Sequence, residues 1–305
     1  MTARRQVALA TYAREPQLTP DDALLVPAFA RLGVGTRAVP WDDPGTDWMA
    51  FDAVLVRSTW DYHLKLPRFL EWTSRLEGLG VSLVNSAPLI RWNARKDYLK
   101  ELTDAGVDVI PTSWVRRGGG RSLQTMLEAA GWSEAVVKPV VSASAHETWR
   151  TSLEAAAGDQ ERFGRLVLEG DVMVQPFLRE IESAGEWSLV FLGDRFSHAV
   201  VKRPKADDFR VQKQFGGSRE LVEPEPWLIA AARVALDAAP GRSLYSRVDG
   251  CVVNGRFLLM ELELIEPELF LGSMAAAAGA LAAAVLGYRA PGEEPARDGG
   301  ASVER

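Results

Sequence analysis

A single cysteine, Cys251, stands among 305 residues. One thiol excludes a disulfide framework within the chain and any four-cysteine zinc site, and it suits a reducing cytosol. The three histidines, His63, His146 and His198, are too far apart to share a short metal-binding spacing. No Gly-x-Ser-x-Gly nucleophile elbow occurs, and no Gly-x-Gly-x-x-Gly follows the first strand-like run. Gly118-Gly119-Gly120 lacks the Lys-Ser/Thr of a P-loop and reads as a surface loop. Long apolar runs are missing as well. Val7–Ala10 is too short for a signal-peptide core and reads as a β-strand. Met274–Leu286 is mostly alanine and spans roughly 13 residues, where a membrane helix needs roughly 20, so it reads as a buried helix. Excess positive charge is also absent: 35 basic residues face 41 acidic ones, a net charge of −6. That balance gives no general attraction to a nucleic-acid backbone. The expectation is a soluble cytoplasmic protein with neither a membrane nor a nucleic acid as partner.

What is present has two grammars. Over residues 1–88, strand-like runs at Gln6–Ala10, Thr36–Val39, Ala53–Arg57 and Ser82–Val84 alternate with helical ones at Asp21–Leu32 and Pro67–Leu79. Asp21 and Asp22 fall in the first turn, where the helix dipole favours them. The alternation predicts a small parallel α/β domain. Residues 86–131 read as mainly helical, with Ala94–Ala105 the clearest helix and Pro111–Val115 a short strand. From residue 135 strands dominate, at Ala135–Lys138, Val172–Phe177, Ser188–Leu192, Ser197–Arg203, Ser246–Val253 and Arg256–Leu264. Gly193-Asp194 and Asn254-Gly255 supply hairpin turns. The α/β front thus leads into an antiparallel α+β lobe. Residues 291–305 are rich in Gly, Pro, Glu and Arg and read as a disordered tail.

Four clusters carry chemistry. In the last predicted hairpin, Arg247-Val-Asp249 is followed, past Asn254-Gly255, by Glu261-Leu-Glu263. Residues i and i+2 share a strand face, so three carboxylates and one arginine converge. Carboxylates crowded together repel, and Mg²⁺, which prefers carboxylate oxygens, removes that cost. A solvated face, or ion pairs to Arg247 and Arg256, is the alternative. Val136-Val137-Lys138-Pro139 puts a cation at the end of an apolar strand, ahead of small residues at 141–146. Val174-Gln175-Pro176-Phe177-Leu178 offers backbone groups to a flat purine, with Glu180, Glu182 and Glu186 beyond. Lys202-Arg203-Pro204-Lys205, Asp208-Phe209-Arg210 and Gly216-Gly217 suggest a lid over phosphates. Each has a bland reading as a solvated loop or charged face.

Taken in order, these clusters resemble the ATP-grasp ligases, from about Val81 to Gly287. Phe209-Arg210 with Gly216-Gly217 is similar to the ribosomal-protein glutamate ligase branch. Trp41-Asp42-Asp43, Arg57-Ser-Thr-Trp-Asp-Tyr62, Arg91-Trp-Asn93 and Glu261-Leu-Glu-Leu-Ile-Glu-Pro267 resemble the branch of the O-ureidoserine cyclo-ligase of cycloserine biosynthesis. The resemblance implies an ATP-grasp fold behind a pre-ATP-grasp domain (1–88), with an N-terminal subdomain (89–178) and a C-terminal subdomain carrying a metal site (179–290). Carried over by position, Lys96 and Lys138 match phosphate-contacting lysines, with Ser144 in the covering loop. Gln175, Pro176, Phe177 and Leu178 match the adenine linker, and Glu182 or Glu186 the ribose acceptor. Lys202 and Arg210 match phosphate and substrate contacts. Asp249, Glu261 and Glu263 match magnesium ligands, and Arg247 steadies the reacting acyl group. Arg57, Ser58, Trp60 and Tyr62, at the end of a predicted strand, and Gly216 and Gly217 are placed at the substrate. Two departures stand out: residues 140–147 hold no glycine, and Glu263 replaces the usual asparagine.

The implied activity is activation of an amino-acid-like carboxylate as an acyl phosphate, with ATP and Mg²⁺, for attack by nitrogen. The nitrogen belongs to the same molecule in a cyclo-ligase and to a second substrate in a peptide or amide ligase. Rival readings are a non-catalytic ATP-binding sensor or scaffold, and a kinase on the same fold. The resemblance also allows for a homodimer, which is frequent in such families.

Overall fold

The computed structural model describes residues 5–205 and 216–288. The basic run's Arg210 and the tail after residue 290 lie outside them. Three sheets make up the described chain. The first joins β1 (Gln6–Thr11), β2 (Gly35–Pro40), β3 (Ala53–Val56) and β4 (Ser82–Val84) in the order β2-β1-β3-β4, all parallel. The β3 sequence Ala-Val-Leu-Val is buried at every position, as a parallel strand covered on both faces requires. On one face, the helix Leu66–Gly78 buries Phe69, Trp72 and Leu76 against Trp41, whose ring stands edge-on to Phe69 at 5.3 Å. On the other, Val7, Leu9 and Leu55 share a core with Leu281 and Val285 of the helix Ala277–Gly287. That helix is the alanine-rich run, buried as expected. Among the described residues no helix is long and apolar enough to cross a membrane.

The second sheet holds β5 (Ser113–Val115), β6 (Glu134–Pro139), β7 (Trp149–Ser152) and β8 (Val172–Pro176) in the order β5-β8-β6-β7. The third holds β9 (Glu186–Leu192), β10 (Arg195–Arg203), β11 (Ser218–Val222), β12 (Tyr245–Val253) and β13 (Arg256–Glu263), antiparallel, in the order β11-β10-β9-β12-β13. Both hairpin turns form at the Gly and Asn positions that favour them, with positive φ at Gly193, Asn254 and Gly255.

Several expectations are corrected. Asp21–Leu32 is a short 3₁₀ turn, Asp22–Leu24, leading into a helix over Leu25–Arg31. Asp21 accepts instead from the backbone amides of Leu271 and Gly272 (3.0 and 2.9 Å), and Asp22 is buried against Arg57. The helix expected over Ala94–Ala105 begins only at Tyr98 and runs to Asp104; residues 94–97 form a break after a separate helix, Ala87–Asn93. The break lets the Lys96 amide donate to Val140 O (2.9 Å). Ala135–Lys138 and Val172–Phe177 are antiparallel strands, as expected, but they form a sheet separate from that of the later strands. Lys202 and Arg203 sit in β10, paired with Arg219 and Ser218 of β11, as the strand reading Ser197–Arg203 expects; the lid reading of the basic run does not hold for these two residues. The helix Ala156–Glu169 has no counterpart in the sequence reading.

Tyr245, at the start of β12, ties the first sheet to the third. Its hydroxyl lies 2.9 Å from Val56 O and 3.2 Å from Val84 O, at the ends of β3 and β4, and 2.7 Å from Ile265 O.

Candidate active site

A cavity of about 960 Å³ opens among the three sheets. Its floor is the β12–β13 hairpin. Asp249 is in register with Glu261 and Arg247 with Glu263, so all four side chains rise from one face. They are tied by ion pairs. Arg247 Nη2 lies 2.9 Å from Asp249 Oδ2 and also contacts Glu263. Ser188 Oγ donates to Asp249 Oδ1 at 2.5 Å, and Lys202 Nζ lies 3.4 Å from Asp249 Oδ2. Burial alone would raise the Asp249 carboxyl, but Arg247 and Lys202 hold it down to about 2. Burial pushes Glu263 up to about 7 against the pull of Arg247. Among the described residues no three acidic, histidine or cysteine side chains meet in a ready-made metal cage. The expected ligands are spread along the hairpin and answered by cations.

The cations come from elsewhere. Lys96, in the break between two helices, is buried, with Nζ 3.0 Å from Glu261 Oε1 and donating to Ser142 O at 2.5 Å. Lys202 faces Glu186 across β10 and β9 in register, Nζ to Oε1 2.5 Å. Lys138, from β6, has no ion pair within 4 Å among the described residues, and burial pulls its ammonium below the ordinary range. A part-buried ammonium with no ion pair, at the edge of a cavity, attracts a ligand that brings the opposite charge.

The second sheet supplies a flatter wall. Gln175, Pro176, Phe177 and Leu178 line the cavity with Val136, Ile110 and Met260. Gln175 is oriented by its Nε2, which donates a hydrogen bond to Thr112 Oγ1 (2.9 Å), and the Phe177 ring is covered by Arg150 at 3.7 Å. Ser144, Glu186 and Gly217 reach the same space. The loop after β6 carries Ser144 and Ala145 at positive φ, together with Glu147. These are conformations in which glycine is at ease and L-residues are strained. The loop is held by Lys96, by Ala143 packing on the front core and by His146 against His63 (5.2 Å between ring centroids).

Four expected residues are elsewhere. Arg57 is 1% exposed. It pairs with Asp22 Oδ1 at 2.8 Å and donates to Pro267 O at 2.7 Å. Ser58 donates to the same Asp22. Both therefore sit in the dry interior, because Asp22 offers a buried acceptor that the sequence hides 35 positions away. Glu182 pairs with Arg150 outside the cavity (2.8 Å), which leaves Glu186 as the member of that pair at the site. Gly216 does not line the cavity, whereas Trp60 and Tyr62 do. Sequence reasoning gives no role to Asn93, whose amide bridges Leu262 O and the Leu264 amide (2.7 and 2.9 Å). It also passes over Glu266, although that residue falls within the Glu261–Pro267 motif.

Comparison with known proteins agrees with this geometry. Residues 7–85 match the N-terminal domain of the D-cycloserine synthetase DcsG. The chain is 30% identical over 275 residues to the cycloserine biosynthesis protein DcsG of Streptomyces lavendulae, covering 86% of this chain and 92% of that one. The crystal structure of D-cycloserine synthetase DcsG superposes with a TM-score of 0.82 at 28% identity, over 92% of this chain and 98% of that one. The D-alanine–D-alanine ligase of Bacillus anthracis superposes at 0.67 with 13% identity, over 93% and 96%, a likeness of fold. The three sheets are thus an ATP-grasp fold behind its small parallel domain, and the chain belongs to the DcsG family of ATP-dependent ligases.

Proposed function

We propose that this ligase activates the carboxylate of an amino-acid-like small molecule, and that the nitrogen which then attacks belongs to the same molecule, as in ring closure of O-ureidoserine to cycloserine. The observation that carries the reading is one cavity joining an apolar slot, a half-buried Lys138 without an ion pair among the described residues, and a carboxylate-lined hairpin bearing Arg247. We divide the chain into residues 1–88, 89–178 and 179–290, each built around one of the three sheets.

The slot between Val136, Ile110 and Met260 takes the adenine, with the backbone at 175–178 as its hydrogen-bonding edge and Glu186 near the ribose. Lys96 and Lys138 hold the phosphates. ATP supplies the phosphoryl group that makes the carboxylate oxygen a leaving group. Asp249, Glu261 and Glu263 fit Mg²⁺ as hard oxygen donors, and their present partners, Lys96, Lys202 and Arg247, are cations that phosphate and acyl oxygens also attract. When bound, Mg²⁺ supplies charge neutralisation. Arg247, held from two sides by Asp249 and Glu263, presents its guanidinium to the acyl oxygen as negative charge develops there. The nitrogen forms its bond to the acyl carbon, the bond from that carbon to the phosphate oxygen breaks, and the nitrogen gives up a proton. To reach cycloserine from O-ureidoserine the carbamoyl group on that nitrogen must also leave, cleaved by water to carbon dioxide and ammonia. Trp60 and Tyr62 close the cavity on the side of the first sheet, where open α/β sheets receive ligands.

The test is ADP release from Mg²⁺-ATP across a panel of amino acids and O-ureidoserine, with Glu261→Ala as control. Release that depends on one compound and disappears in the variant supports the reading. ATP binding without any compound-dependent release overturns it.

A further inference from the structure

The segment after β13 has no regular structure, yet four successive carbonyls are each taken by a different side chain. Tyr245 reaches Ile265 O (2.7 Å), Trp60 Nε1 donates to Glu266 O (3.3 Å), Arg57 to Pro267 O (2.7 Å) and Arg247 to Glu268 O (2.9 Å). Backbone fixed at four consecutive points holds the side chain between them in one place, which is how a binding group is preorganised. The side chain so held is Glu266, and it lines the cavity beside Trp60 and Tyr62.

Its carboxyl has no cationic partner, and burial with Glu263 nearby pushes it well above the usual carboxylate range. Glu186, Asp249, Glu261 and Glu263 each have a lysine or arginine within 4 Å, and Glu268 has Arg219. Glu266 has neither an ion pair nor a side-chain hydrogen bond among the described residues. Lys138, also in the cavity wall, is the unanswered cation. Glu15 and Asp21 also line the cavity with no lysine or arginine partner among the described residues, but Asp21 is taken up by the Leu271 and Gly272 amides and neither lies beside Trp60 on a backbone held at four points. A cavity with a partnerless cation at one place and a partnerless carboxyl at another is complementary to ligands that bring an anion to the first and a cation to the second. The phosphates answer Lys138. A small cation beside Trp60 and Tyr62 answers Glu266.

We propose that Glu266 binds the ammonium group of the amino-acid substrate, a positioning role that leaves the substrate carboxylate free to meet Arg247. The enzyme therefore requires a free, protonated amine on its acid substrate. The inference rests on the amino-acid reading above and gives that reading its recognition residue. It also assigns Arg57 a purpose: although outside the cavity, it holds the carbonyl next to Glu266.

The experiment measures thermal stabilisation of the complex with Mg²⁺ and a non-hydrolysable ATP analogue. The probes are O-ureidoserine and the amino-acid panel, each beside its N-acetyl counterpart, on wild type and Glu266→Gln. The expected result is that N-acetylation and Glu266→Gln each weaken binding on the order of a hundredfold, with affinity for the ATP analogue and the Mg²⁺ requirement unchanged. Retained analogue binding also shows that the variant folds, and Glu266→Asp is expected to recover part of the affinity. If Glu266→Gln binds the free amino compounds as wild type does, or instead raises the Mg²⁺ requirement, the inference is overturned while the ligase reading stands. If wild type binds the analogue but no free amino compound, both fall.

Discussion

Two buried arginine–aspartate pairs lie at opposite ends of one hydrogen-bonded network. Arg57 pairs with Asp22 and Arg247 with Asp249. Each guanidinium lies near an aromatic ring, Tyr245 at 5.2 Å and Phe270 at 5.6 Å. The first pair is closed. One aspartate is shared with Ser58, no cavity reaches it, and even one nitrogen of Arg57 (Nη1) is left without an acceptor. The second is open. Asp249 and Glu263 together offer more negative charge than Arg247 needs, Lys202 joins in, and the group faces a cavity. A closed pair resists loss of either partner because nothing can replace it, whereas an open one can exchange partners with a ligand. The same residue types serve architecture in one place and, on our reading, chemistry in the other.

The contrast can be broken by removing each arginine. Arg57→Met strands Asp22 in the interior and should cost about 3–5 kcal/mol of stability, read by chemical denaturation. Arg247→Met leaves Asp249 with Lys202 and Ser188, so its melting temperature should move less. Its kcat, however, should fall about 10²–10³-fold, the usual cost of losing a donor to a developing oxyanion. Equal loss of stability in the two variants would erase the distinction.

The histidines sharpen it at smaller scale. Burial, with His146 and Lys96 nearby, pulls His63 down to about 4. An imidazole whose folded pKa is depressed supports the fold fully above its unfolded value near 6.5. That support is lost as pH falls from there through about 4, because the unfolded chain takes the proton first. Denaturation measured across this window should show wild type losing stability relative to His63→Gln. A parallel pair of curves would show that His63 contributes nothing. The smallest effect is expected at the glycine-free loop: Ala145→Gly relieves a positive φ and should stabilise by about 1 kcal/mol. A lower melting temperature would mean that the loop is not strained.

What is legible in the sequence is local. The β12–β13 hairpin is visible because Asn254-Gly255 fixes a turn and alternation fixes the face, so Asp249, Glu261 and Glu263 fall side by side on sequence alone. Their ion pairs do not, since Lys96 and Lys202 arrive from distant segments. Arg57 is misplaced for the same reason. A strand-end arginine looks available until Asp22 is known to be buried beside it. Ala94–Ala105 has continuous helical periodicity, and only the Lys96–Val140 contact, made by tertiary packing, explains the break. Glu266 is in plain view within the Glu261–Pro267 motif, but nothing local says that a carboxylate will have no partner.

Tyr245 carries a further consequence. Its hydroxyl joins the ends of β3 and β4 to β12, and Arg247 lies two residues along the same strand. The wall bearing Trp60 and Tyr62 and the group expected to meet the acyl oxygen are therefore spaced by a rigid connection. On the proposed reading, that connection would set the length of substrate that fits between them. An acid longer by one methylene would overshoot by roughly an ångström, a misplacement that can cost about a hundredfold in rate. Tyr245→Phe should blunt this selection, narrowing the rate difference between a substrate and its one-carbon homologue. An unchanged ratio would show that length is measured elsewhere.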